Sequence, residues 1–104
     1  MIKWKRLKQI SEQVTGIEVN IYGSTKLEGL RAAIEFNEEK ADVALNLNMN
    51  KGIEELISSL AHELAHVTVY STQHNREHSQ ESDRLRDKIN KLYRKENENE
   101  DGEH

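Results

Sequence analysis

Residues 53–70 admit one fold that suits all their side chains. Ile53, Leu56, Ile57, Leu60, Leu64 and Val67 recur at steps of three and four with no Gly or Pro between them. That spacing predicts an amphipathic helix with a single apolar stripe. Ser59, His62, Glu63, His66 and Tyr70 keep the same spacing on another side. At about 100° per residue the histidines point roughly opposite Leu60 and Leu64. The stripe anchors the helix to a core and leaves an imidazole-bearing face free. Asn50 is the expected N-cap, and Glu54 and Glu55 suit the positive end of the helix dipole.

The string His62-Glu63-Leu64-Ala65-His66 has the form H-E-x-x-H. Residues four apart on a helix share a face, so both imidazoles reach one metal ion. Glu63 stands one position along, close enough to polarise a metal-bound water without being a ligand. Ordinary amphipathic helices also carry surface or capping histidines. A pair flanking a glutamate, opposite the apolar stripe, favours the metal.

A catalytic zinc keeps three protein ligands and one open position. Downstream candidates for the third ligand are His74, Glu77, His78 and Glu81. His78, Ser82, Leu85, Ile89 and Leu92 form one face of a second helix, so His78 begins its inward row. Glu77 is displaced by about 100° from that row. His74 falls in the polar connector from Ser71 to Arg76. Glu81, at the edge of the row, suits either a group that orients a ligand or a rival ligand. His78 also fits a helix-start histidine making a cap contact. Spacing favours His78 as ligand and keeps His74 and Glu81 as rivals.

The string HELAHVTVY, followed by His78-Ser79-Gln80-Glu81, resembles the SprT-like, or Spartan-type, zinc metallopeptidases. In that family an HELAH-type helix is followed by a third zinc histidine in an H-G-x-E-W-like string. Val43-Ala44-Leu45-Asn46-Leu47-Asn48 is similar to the strand, ending in Leu-Asn, that leads into the family's active helix. The resemblance spans residues 29 to 92. Ser79 stands where Gly is usual, Ser82 stands where a large aromatic is usual, and the chain has no cysteine for the zinc ribbon that many relatives carry. The resemblance implies a small zincin-like domain holding one zinc ion through His62, His66 and His78. Glu63 would be the general base of peptide hydrolysis, and a protein or peptide the substrate. Spartan-type relatives cut proteins crosslinked to DNA. Here the formal net charge of −4 argues against strong intrinsic DNA affinity. The basic clusters Lys3 to Lys8 and Arg84 to Lys95 read as solvated helix faces, so DNA association has no support of its own.

Length and composition set the rest. A chain of 104 residues allows one modest core and is expected to be monomeric. Zero cysteines exclude disulfides and thiolate sites and fit a reducing, cytoplasmic setting. No apolar run approaches the roughly 20 residues of a membrane span. The basic start Met1-Ile2-Lys3-Trp4-Lys5-Arg6 is not followed by the apolar region of a signal peptide.

The expected fold is α+β, an antiparallel or mixed sheet packed against the HExxH helix and one or two others. Residues 2 to 15 form a helix with Trp4, Leu7, Ile10 and Val14 on one face, closed by Thr15-Gly16. Ile17, Val19 and Ile21 alternate as a strand, and Tyr22 to Glu28 reads as a loop. Residues 30 to 36 and 42 to 48 pair as a hairpin around Asn37-Glu38-Glu39-Lys40, with Val43, Leu45 and Leu47 on one face of the second arm. The domain is expected over 1 to 95. An acidic, disordered tail is expected over 96 to 104. Tyr22, Tyr70 and Tyr93 are the available phenols and fit packing roles better than oxyanion donation.

Two other functions fit the same motif. A repressor-cleaving regulatory metallopeptidase would take Glu77 or Glu81 as third ligand. A non-enzymatic, zinc-stabilised binding module would close its site with His74 as fourth ligand, and would have no need of Glu63.

Overall fold

The periodic segments assemble, in a computed structural model that describes residues 2–70 and 74–102, into α1 (Trp4–Thr15), β1 (Glu18–Ser24), β2 (Ala32–Phe36), β3 (Lys40–Asn46), α2 (Ile53–Thr68) and α3 (Arg76–Gly102). The architecture is α+β, with three helices and a mixed three-stranded sheet. α1 stops where Gly16 takes the left-handed conformation (φ 76°) and donates its N–H to the Glu12 carbonyl. Glu12 and Lys8 then clasp the next strand. The Glu12 carboxylate accepts the Val19 N–H at 3.1 Å, and Lys8 Nζ donates to the Val19 carbonyl at 2.8 Å.

The expected hairpin forms with its second arm two residues earlier, at 40–46 instead of 42–48, because Asn37 builds a tighter turn. Its Oδ1 accepts the N–H groups of Glu39 and Lys40 at 2.7 and 3.0 Å. Strand order is β1-β3-β2, with β3 parallel to β1 and antiparallel to β2. The central position of β3 buries Val43, Ala44, Leu45 and Asn46 in succession, so alternation does not divide its two faces. Leu47, expected on the inward row, lies beyond the strand and is exposed.

β1 continues through Tyr22, Gly23 and Ser24, where a loop was expected. A Cβ at Gly23 would come within 2.8 Å of the Leu47 side chain, so this glycine permits a close approach and does not break the strand. Asn50 is not the cap of α2. Gly52 occupies that position with extended backbone, and no side chain caps the helix there. Asn50 instead spends both ends of its amide on buried groups. Its Nδ2 donates to the carbonyls of Arg31 (2.9 Å) and Asn46 (2.8 Å), and its Oδ1 accepts the Ser59 hydroxyl at 2.6 Å. These bonds tie the start of β2 and the end of β3 to Ser59 of α2.

The core lies where the helices meet the sheet, with Leu7 and Ile10 from α1, Val43 and Leu45 from β3, Leu56, Leu60 and Leu64 from α2, and Leu85 and Ile89 from α3. α3 continues to Gly102, past Glu96, where the acidic composition predicts a tail. Residues 84–101 contain no Gly or Pro to stop it. Residues 103–104, the end of that expected tail, and residues 71–73 of the expected connector lie outside the described residues. Among the described residues no helix is long and apolar enough to cross a membrane.

Candidate metal centre

The site begins with the way α3 starts. Asn75 accepts the His78 N–H on its Oδ1 at 2.9 Å, and its carbonyl accepts the Ser79 N–H at 3.0 Å. Asn75 is therefore the N-cap of α3, a role the sequence signals by type and position but which was not expected. From this start Leu85, Ile89 and Tyr93 turn inward, and His78 heads the same row with 2% of its surface exposed. α3 packs along α2, which changes the character of the histidine face. That face was expected to stand free of the core, yet His66 is 6% exposed and Ser59 8%. Part of it is closed over by the partner helix and the Asn50 turn.

His62, His66, His74 and His78 converge, and one ring nitrogen from each lies within 4.8 Å of the others. Ring centroids are 5.7 Å apart for His62 and His66, 4.6 Å for His62 and His78, and 4.2 Å for His66 and His78. Histidines that contacted nothing but solvent would not gather this way. Four imidazoles without sulfur suit zinc, and suit other divalent ions of similar hardness. His78 is oriented further by its neighbour, since its Nε2 lies 2.8 Å from the His62 carbonyl. A carbonyl can only accept, so this contact has the His78 ring as donor and helps to fix its orientation.

The carboxylate rivals stand elsewhere. Glu77 is exposed on the first turn of α3. Glu81 is engaged by Arg84 and also hydrogen-bonds Thr68, and both contacts hold its carboxyl below the usual range against the opposing effect of burial. Among the described residues neither belongs to the cluster.

Electrostatics favour neutral imidazoles here. Burial pushes the His62 imidazole below its ordinary value, and His78, His74 and His66 add to that. Burial lowers His78 as well, partly offset by its bond to the His62 carbonyl. Neutral rings are the form that binds metal. Glu63 moves the other way: burial raises its carboxyl, while His74 and His78 pull it down. A carboxylate shifted toward neutrality is a better proton acceptor at neutral pH.

A cleft of about 580 Å³ opens over the cluster. One wall is the polar stripe of α2, with Glu55, Ser59, His62, Glu63 and His66, and the other is Leu30, Arg31 and Ala32 at the start of β2. Asn46 holds that second wall in place by donating Nδ2 to the carbonyls of Leu27 and Leu30, each at 2.7 Å. β2 is an edge strand. Arg31 O accepts the Asn46 N–H, and Asn37 N donates to Lys40 O. The odd-numbered residues thus face β3, and by antiparallel alternation Ala32, Ile34 and Phe36 turn their backbone groups to the open edge. None of the tyrosines lines the cleft. The Tyr93 hydroxyl accepts the Lys3 N–H, Tyr70 lies edge-on to Phe36, and Tyr22 is exposed on β1.

Comparison with curated proteins and with solved structures finds no match. A family model does match, over residues 3–101. The match runs through the sheet, all three helices and the whole histidine cluster, and the chain belongs to the SprT-like family.

Proposed function

We propose that the protein is a zinc-dependent peptidase, with His62, His66 and His78 as metal ligands and Glu63 as general base. Bound zinc would supply a Lewis acid and a water acidified toward neutral pH. The three histidines would hold the ion, each through one ring nitrogen. Glu63 takes the proton of the attacking water and delivers it to the leaving amine as the peptide C–N bond breaks. The substrate lies extended along the open edge of β2, where the backbone groups of Ala32, Ile34 and Phe36 add it as a further strand. Leu30, exposed at the mouth, offers an apolar contact for a substrate side chain. The observation that carries this reading is the position of Glu63, on the same cleft wall as His62 and His66 and opposite the start of a free strand edge.

The regulatory-peptidase alternative loses its carboxylate ligand to the Glu81–Arg84 pair. The non-enzymatic module is favoured by one observation, the presence of His74 in the cluster, because four protein ligands close a structural site. Zinc-loaded parent and Glu63→Gln, assayed on an unfolded protein substrate, separate the two. The peptidase reading expects one zinc per chain in both and a fall in turnover of about 10²–10⁴ in the variant. Equal, zinc-independent turnover, or none in either protein, would assign the centre to structure.

A further inference from the structure

Three clustered histidines suffice for the peptidase, and His74 is left over. Its placement matches theirs. Its ring centroid lies 5.1, 4.7 and 5.1 Å from those of His62, His66 and His78. These values fall inside the 4.2–5.7 Å span of the other three pairs. Its ring nitrogen meets the same 4.8 Å limit. A side chain donating to a reacting oxygen would stand farther out than the ligands, by the width of the group it binds. His74 stands level with them.

In two respects it differs from its partners. His66 and His78 are buried within helices, whereas His74 is exposed and belongs to neither α2 nor α3. The helix bonds nearest it begin at Asn75, so movement of His74 breaks none of them. Among the described residues no hydrogen bond holds its ring; its contacts are with the other three rings, stacked on His62 at 17°. His74 also lines the cleft, so a molecule entering there meets it beside Glu63.

We propose that His74 is a fourth, exchangeable ligand of the metal, closing the coordination sphere at rest and leaving when a donor from the cleft takes its place. One nitrogen–metal bond breaks and one bond to the incoming lone pair forms, with no net proton or electron transfer. The proposal rests on the metal-centre reading above and gives it a resting state. The peptidase is latent until an extended substrate displaces His74.

The test uses the full chain loaded with Co²⁺ in place of zinc, as parent and as His74→Ala, each titrated with azide and followed by visible absorption. Both should bind one cobalt per chain. An intramolecular ligand competes at an effective concentration in the millimolar range or above, so azide should bind the variant at least about tenfold more tightly. Equal azide affinity in the two proteins would overturn the proposal. So would loss of cobalt from folded His74→Ala, which would make His74 a permanent ligand. Peptide turnover of the zinc forms is read in parallel. A clear azide difference with no turnover in either protein would support His74 as an exchangeable ligand while removing the peptidase reading.

Discussion

Glu81 and His78 lie three residues apart on α3, and their neighbours give them opposite tasks. His78 turns into the cluster with its Nε2 against the His62 carbonyl, so truncating it removes one of the proposed metal ligands. His78→Ala is expected to lose at least about 10²-fold in zinc affinity, while Glu63→Gln, which removes no ligand, keeps it; metal content after dialysis against a graded chelator checks both. Among the described residues Glu81 lies outside the cluster. Arg84, and then Thr68, hold its carboxyl below the usual range. A carboxyl whose folded pKa is depressed stabilises the fold above the unfolded value, about 4.3, and loses that contribution as pH falls through the folded value. Arg84 is 54% exposed, so screening limits the effect to no more than about 1 kcal/mol. Glu81→Gln should therefore lower the urea midpoint at pH 7 and converge with the parent once pH falls below the depressed folded value. The comparison is made in chelator so that metal does not enter the linkage. At this scale His62, Glu63 and His66 were legible because four-residue spacing is a local property of one helix. His78 was legible because it heads an apolar row. His74 sits in no periodic segment, and only the meeting of α2 and α3 shows that it joins the others.

At the scale of elements, the helices and hairpin followed from period and turn chemistry, while the joints between them did not. Asn50 shows why. Its type and position suit a helix cap, but whether an asparagine caps a helix or ties it to the sheet depends on which groups the tertiary fold brings to it, and that is not written locally. Asn50→Ala would strand the Ser59 hydroxyl, while the Arg31 and Asn46 carbonyls keep their backbone partners. At about 1–3 kcal/mol for a buried group left unsatisfied, a loss in that range is expected in urea unfolding. Gly23 teaches the same lesson, since its strand character comes from pairing with Leu45 of β3, far along the chain. The free edge of β2 gives a functional test. Ala32→Pro deletes an N–H that points away from β3, so the ladder of the hairpin survives. Metal content should be unchanged, while kcat/KM on an extended peptide falls about tenfold, the worth of one hydrogen bond. A loss of stability equal to that of a ladder-breaking proline would show that the edge is not open.

For the whole molecule the question is what holds α3 in place. A chain of 104 residues buries a limited core, and α3 adds mainly Leu85, Ile89 and Tyr93 to it. Its amino-terminal turn, capped by Asn75, carries His78, a polar ring whose burial against α2 gains little without a charge to coordinate. A metal held between α2 and α3 would join the helices at that end, and because the unfolded chain has no such site, its binding free energy stabilises the fold. At free zinc about 100-fold above Kd the gain is about 2.7 kcal/mol. With about 4–8 °C per kcal/mol for a domain of this size, chelation should lower Tm by about 10–20 °C. The loss should be uneven. Amides in the first turns of α3 and the last turns of α2 should gain exchange on chelation, while those of β3, buried in the sheet centre, should change only with global stability. His78→Ala should show the lowered Tm with or without chelator, and Glu63→Gln should follow the parent. A Tm indifferent to chelator in a parent that carries one zinc would mean that packing alone holds α3, and that the metal serves the cleft without supporting the fold.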